Sequence, residues 1–228
     1  DRLAQVCRDA GVPLVEDCAH AHGASFRGIK AGNFGVAGCF STFMTKVVTS
    51  GEGGLISTQN AELFSTAQSV RQFGCDLEDK TSHIREGGNY KMSEFQALFA
   101  ALDLERAPAR IAQRQRLAAR YQRNLTGSPW KAIAPAEGAL CSYYKQIIIS
   151  PYERAGVVAH LAEKGVPITG GVYYEPLHRQ PVNQTRYAGQ SFPVADEFAD
   201  THFCPPCYPE ISEDDVDYIC EQLLAYGS

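Results

Sequence analysis

Apolar residues follow two rhythms along the chain. In the first half, short apolar runs alternate with helically spaced ones. Leu3, Val6, Cys7 and Ala10 recur at helical spacing, and Gly11 is placed as a stop. VPLV at 12–15 predicts a buried strand that ends at Glu16 and Asp17. CFSTF at 39–43 and GLIST at 54–58 predict two more strands. Asn60 is placed to cap a helix with Leu63, Ala67 and Val70 on one face, closed near Gly74. Strands alternating with helices predict an α/β layer built on a mostly parallel sheet. Residues 76–88 are polar and loop-like, and Ser93 opens an S-x-x-Q capping box. The helix behind that box carries Phe95, Leu98, Phe99 and Leu102, and Pro108 predicts a bend or break in it. A second helical run has Ile111, Leu117, Tyr121 and Leu125 near helical spacing, a length suited to linking two domains. Beyond Gly127-Ser128-Pro129, YKQIII at 144–149 predicts a strand and 153–164 a helix ended by Gly165. Ser212 caps a last helix bearing Val216, Ile219 and Leu223. Trp130, the only tryptophan, is expected to pack where the second domain starts.

Composition narrows the class. A chain of 228 residues that is 44% hydrophobic and 21% charged reads as an ordinary globular protein. No apolar run reaches the ~18 residues of a membrane span. The net charge of −5 gives no basic patch for nucleic acid. The opening DRLAQVCRDAG has neither an initiator Met nor a signal-peptide apolar region. The eight cysteines are scattered among apolar neighbours, unlike a secreted disulfide framework, and the expected compartment is the cytoplasm.

The chemistry concentrates in FSTFMTKVVTSGEGG at 40–54 and in VEDCAHAHGA at 15–24. A carboxylate at the carboxyl end of a parallel strand points into the crevice where α/β proteins bind ligands, and Asp17 is such a residue. A lysine on the loop after a second strand reaches the same crevice, and lysine is the side chain that joins covalently to carbonyls and to pyridoxal phosphate (PLP). PLP needs an acid beside its pyridine nitrogen, and hydroxyls with backbone N–H groups for its phosphate. Asp17, Lys46, Ser41 and Thr45 can fill those parts. Each alone has a bland reading: a strand-end Asp as a cap, a lone Lys as a solvated surface residue. The combination points to the cofactor.

These segments resemble the DegT/DnrJ/EryC1/StrS family of PLP-dependent sugar and aminocyclitol aminotransferases. The pattern is E-D-x-A-[QH]-x-x-G-A, then G-x-F-S, then T-K-x-x-T-x-G-E-G-G. GGNYKMSEFQA at 87–97, YYEPLH at 173–178 and the ending FCPPCYPEISEDDVDYICEQL extend the likeness over essentially the whole chain. The resemblance implies an aspartate-aminotransferase-like α/β fold (PLP fold type I). Residues 1–108 would be the later part of the large PLP-binding domain, and 109–228 the linking helix with the small C-terminal domain. It implies Lys46 as the residue that holds PLP and moves the proton, and Asp17 as the partner of the pyridine nitrogen. His20 would stand beside the ring oxygen and Ser41 on the phosphate. Asn89 would reach the phosphate of a neighbouring subunit in a homodimer with shared sites. His178 would lie near the substrate. The implied reaction moves an amino group from Glu or Gln to a keto group of a nucleotide sugar or ketocyclitol. The family has a substantial portion ahead of this point. A sheet lacking those strands would expose a long edge, so residues 1–228 alone are expected to fold poorly.

Some features depart from the pattern. Lys91 stands where the family usually has Arg, keeping charge without the bidentate fork. Cys204 and Cys207 of CPPC lie outside the pattern and read as buried structural thiols. His22 and His83 read as surface or hydrogen-bonded residues, and no residues read as metal ligands. Two other readings remain open from the sequence. One is an aminohydroxybenzoate-synthase-like dehydratase, which keeps the lysine and carries His at the position of His20. The other is a non-catalytic regulatory module on the same fold, which the retention of Asp17 and Lys46 disfavours.

Overall fold

The structure, a computed structural model, describes residues 1–168 and 171–227. The chain divides into two compact units. One holds Asp1–Ile111 with Ala136–Ser142, the other Ala112–Pro135 with Tyr143–Ser228.

In the first unit, α1 (Arg2–Asp9) starts where the Asp1 side chain accepts the Arg2 N–H and ends before Gly11 at φ +65°. Of its apolar stripe, Leu3 and Val6 stay exposed and Ala4 is buried. Strand β1 (Val15–Asp17) is followed by the short pair β2 (Ser25–Phe26) and β3 (Ile29–Lys30), then by β4 (Ala37–Ser41) and β5 (Gly54–Ser57). The main sheet runs β1-β4-β5; β1 pairs parallel with β4, and β5 antiparallel with it. The described strands therefore form a mixed sheet with one parallel pair. The VPLV run enters this ladder only at Val15, because Pro13 has no N–H to give a neighbour. Likewise β4 ends at Ser41, short of Phe43, because the chain closes into a loop there.

Glycines set the spacing around β4. A Cβ on Gly35 would lie 2.2 Å from the Leu14 carbonyl oxygen, and one on Gly38 would lie 2.4 Å from the Gly32 Cα. Gly32 sits at φ +91°, where only glycine is unstrained. Helix α2 (Ala61–Arg71) begins as expected, with the Asn60 side chain accepting the Leu63 N–H at 2.9 Å.

Helix α3 (Glu94–Asn124) runs 31 residues without interruption, with Pro108 inside it. The expected break does not occur. Proline withholds one backbone hydrogen bond, and Ala107 and Ile111 beside it are buried.

The second unit packs the later part of α3 with strands β6 (Lys131–Ala132), β8 (Ile148–Ile149) and β9 (His202–Phe203) and helices α4 (Arg154–Glu163), α5 (Pro193–Thr201) and α6 (Glu213–Leu224). Strand β7 (Ala139–Leu140) belongs to the first unit, where it pairs with β2. Leu117 and Tyr121 of α3, Val157 and Leu161 of α4, Phe203, Val216 and Leu223 are fully buried. Trp130 is 3% exposed and packs edge-on to Phe203 and Tyr226. Only two residues of YKQIII form the strand. The fully buried Gln146 side chain donates to the carbonyls of Ile133 and Ile147, and occupies the Ile133 carbonyl where the next ladder bond would fall. Ser212 and Asp215 form the capping box of α6. Burial pushes the free thiols of Cys204 and Cys220 up to about 11 and about 12, where neither is nucleophilic at neutral pH.

Two histidines are buried. His202 is locked as one neutral tautomer: its Nδ1 donates to the Phe198 carbonyl at 2.6 Å and its Nε2 accepts the Val172 N–H at 3.0 Å. His22, expected at the surface or hydrogen-bonded, is 5% exposed, lies against the Phe40 ring, and has no hydrogen-bond partner on either ring nitrogen. Burial holds both imidazoles below the ordinary value; Lys46 and His20 add to the effect at His22.

Gly38→Ala should lower stability by about 1–3 kcal/mol or more, since the Cα and carbonyl oxygen of Gly32 that it meets are backbone; a denaturation midpoint unchanged from wild type would refute the close approach. For pH, both histidines have depressed folded-state pKa values, so the unfolded chain takes up protons first. Their contribution is fully present above about pH 6.5 and is lost as pH falls below it, by at most about 1.4 kcal/mol per pH unit for each. Urea midpoints measured from pH 8 to 5 should be flat and then fall, and His22→Phe should flatten the fall.

Candidate active site

The parallel pairing of β1 with β4 brings their carboxyl ends to the same edge of the sheet. Asp17 closes β1, Ser41 closes β4, and Lys46 lies on the loop that leaves β4. Asp17 stands opposite Cys39 in the ladder, so Ser41 lies two residues further along on the same face. With ~3.3 Å per residue and ~4.8 Å between strands, the two positions are on the order of 8 Å apart. The Asp17 Oδ1 accepts the Ala19 N–H at 3.0 Å, which orients the carboxylate. Ser41 is half-buried and its hydroxyl accepts the Phe43 N–H at 3.3 Å.

Glu16, the neighbour of Asp17, faces the other way along the pleat. Its carboxylate accepts backbone N–H groups from Gly32, Phe34 and Gly35 at 2.7–2.8 Å. That contact folds residues 32–35 back over the strands. Sequence reasoning misses Glu16; the signal is the acidic pair itself, since adjacent strand residues serve opposite faces.

The Lys46 loop is closed on itself. The Thr42 N–H donates to the Gly53 carbonyl and the Ser50 N–H to the Thr42 carbonyl, each at 2.9 Å. The Ser50 hydroxyl donates to the Glu52 carbonyl at 2.9 Å and lies 2.8 Å from the Thr42 hydroxyl, within hydrogen-bond distance. Val47 and Val48 are buried beside the half-buried lysine. His20 is exposed, its carbonyl accepts the Ser142 hydroxyl at 3.4 Å, and it joins Lys46 in acting electrostatically on His22.

Asn89 is exposed on a separate stretch of the same unit, bridged antiparallel to Gln72. His178 belongs to the other unit. Its Nε2 meets an Asp196 oxygen at 2.8 Å, its ring lies against Phe192, and Arg179 pairs with both Asp196 and Asp200. Among the described residues, no group of three or more acidic, His or Cys side chains is arranged to hold a metal ion. No helix among them is long and apolar enough to cross a membrane.

The donor set fits PLP. An acid stands at one strand end, a hydroxyl on the same face at the next, and a primary amine on the connecting loop. These are the groups that a pyridine nitrogen, a phosphate arm and an aldehyde require.

Known proteins share this arrangement of chain. Over 230 residues the chain is 28% identical to GDP-perosamine synthase of Escherichia coli O157:H7, covering 100% of this chain and 62% of that protein. It is 34% identical over 202 residues to L-glutamine:scyllo-inosose aminotransferase of Streptomyces griseus, covering 81% and 47%. Among solved structures, an aminotransferase of the family from Brucella abortus superposes with a TM-score of 0.90 at 27% identity, over 100% of this chain and 61% of that one. S. venezuelae DesV, solved with a ketimine intermediate, superposes with a TM-score of 0.91 at 25% identity, over 98% and 60%. The chain thus spans roughly three-fifths or less of the length of these relatives. The fold is that of the PLP-dependent aminotransferases. The DegT/DnrJ/EryC1/StrS aminotransferase profile matches residues 1–224, and the chain belongs to that family.

Proposed function

We propose that the protein is a PLP-dependent aminotransferase that moves an amino group from Glu or Gln to a keto group of a nucleotide sugar or aminocyclitol precursor. The observation that carries this is the gathering of Asp17, Ser41 and Lys46 at the shared carboxyl end of β1 and β4. PLP, when bound, supplies an electron sink for the bond breaking at the amino-bearing carbon. Lys46 would hold the cofactor through its aldehyde carbon and, once released by the donor amine, would carry the proton from the donor's amino-bearing carbon to that carbon, with the reverse transfer serving the keto acceptor. Asp17, steadied by the Ala19 N–H, keeps the ring nitrogen protonated. Ser41 would donate to the phosphate, and His20 would stand beside the ring oxygen. In the second unit, the Nε2 of His178 pairs with Asp196 at 2.8 Å, a contact that orients the ring, and His178 is the residue we assign to the substrate.

The substrate class draws support from the relatives' names, which include a scyllo-inosose aminotransferase and a UDP-2-acetamido-2-deoxy-3-oxo-D-glucuronate aminotransferase of Pseudomonas aeruginosa, 31% identical over 228 residues. The donor reading follows the first of those names, which specifies L-glutamine. A homodimer with shared sites is supported by α3. Phe95, Leu98, Phe99 and Leu102 form one helical stripe and are 44–77% exposed, and Asn89 lies exposed just ahead of it.

The reading is tested on the full-length protein. Borohydride reduction with PLP should place one covalent label on Lys46. Lys46→Ala should lose both label and transamination from Gln to a ketosugar or ketocyclitol. Asp17→Ala should keep the label and slow turnover on the order of 10²–10⁴-fold. A wild-type label elsewhere, or turnover surviving in Lys46→Ala, would defeat the assignment.

A further inference from the structure

We infer that Asp103 on α3 is a positioning residue for Lys46, acting through the Thr49 N–H of the lysine's loop. This rests on the reading of Lys46 as the cofactor-holding residue.

The loop 42–53 is anchored to α3 at two points. The Gln96 side-chain Nε2 donates to the Glu52 carbonyl at 3.1 Å, and the Asp103 Oδ2 accepts the Thr49 N–H at 2.9 Å. Positions 96 and 103 are two helical turns apart, so both side chains leave one face of α3. The helix therefore acts as a splint along the loop. Gln96 also caps the helix. Its Oε1 accepts the Ser93 N–H and hydroxyl, so helix start and loop end are fixed together. At the other anchor, the Thr49 hydroxyl donates to the Thr42 carbonyl and accepts the Gly51 N–H. Its backbone N–H is left over by these contacts within the loop, and Asp103 takes it.

Asp103 is itself aimed. Its side chain is 12% exposed, and its other oxygen is paired with Arg110, two turns further along the helix. A shielded carboxylate needs such a cation, and the pairing leaves Oδ2 directed at the loop. Thr49 lies directly after the buried Val47 and Val48, which follow Lys46. Between the Phe43 carbonyl, which accepts the Lys46 N–H at 2.9 Å, and the Thr49 anchor, the backbone has little freedom left. The backbone that carries Lys46 is thus held on both sides. Asp103, Arg106 and Thr49 also line an open cleft of about 510 Å³, so solvent reaches this anchor if it loosens.

The test compares wild type, Asp103→Ala and Asp103→Asn in the full-length protein by amide hydrogen exchange. Asp103→Ala should speed exchange in the peptide covering 42–53 by about tenfold or more, with exchange in α6 unchanged. Asp103→Asn, whose amide oxygen can accept the same N–H but whose NH2 replaces the oxygen paired with Arg110, should restore part of the protection. The rate of PLP-plus-borohydride labelling at Lys46 should follow the same order across the three proteins. Equal loop exchange in Asp103→Ala and wild type, acceleration of loop and α6 together, or no rescue by Asn would each overturn the inference. If wild-type Lys46 takes no label, the cofactor reading fails, and the exchange data still decide the role of Asp103.

Discussion

The parallel ladder between β1 and β4 is the constraint on which the site depends. A parallel pair sends both strands' carboxyl ends to one edge, and here those ends are an acid and, two residues beyond its register partner Cys39, a hydroxyl on the same face. An antiparallel pairing of the same two strands would place Asp17 and Ser41 at opposite edges, and no loop of this length would reunite them with Lys46. The parallel ladder needs a crossover between the strands, and residues 18–36 supply it with little regular structure. That crossover can lie close only because Gly32, Gly35 and Gly38 remove the side chains that would collide with Phe40, the Leu14 carbonyl and each other. The glycines and the ladder are therefore one device.

The acidic pair at the end of β1 divides the labour that such a crossover imposes. Glu16 turns to one face and gathers three backbone N–H groups, which would otherwise be left unmet beneath the crossover. Asp17 turns to the other face, where its carboxylate accepts the Ala19 N–H, and it stays exposed at the strand end. Two residues of the same charge, one position apart, differ in role because the pleat separates them. A carboxylate spent on three backbone N–H groups and one left exposed at the candidate site are thus told apart by their hydrogen-bond partners rather than by their type.

Local signals are legible in the sequence where a side chain acts on its own backbone. Asn60, Ser93 and Ser212 cap helices as their spacing predicts, because caps are contacts across three residues. The clustering of Asp17, Ser41 and Lys46 is legible as a motif, while the reason for it, the parallel register, is a long-range pairing. Hydrophobic pattern overstates the strands at 12–15 and 144–149, where Pro13 and the buried Gln146 amide intervene. Pro108 reads as a breaker because propensity counts the lost hydrogen bond and not the burial of its neighbours. His22 misleads for a related cause. A histidine between two small residues looks solvated, and only the fold shows that Phe40 and the crossover enclose it.

Lys91 shows how a departure from a family pattern acquires a local meaning. Exchange of Arg for Lys gives up the planar fork that grips a carboxylate or phosphate with two parallel bonds. Here the Lys91 ammonium lies 5.4 Å from the centre of the Phe73 ring. Phe73 is one of three non-glycine residues at positive φ among the described residues, at +58°, and its carbonyl meets His83 Nδ1 at 2.9 Å. Its N–H donates to the Gly88 carbonyl, and Gly88 directly precedes Asn89. A cation over that ring adds about 0.5–1 kcal/mol at an exposed site, a sizeable offset to the strain of a left-handed phenylalanine. The charge at position 91 is thereby engaged in holding the turn from which Asn89 projects, and a point charge on a flexible stem can do this as well as a guanidinium.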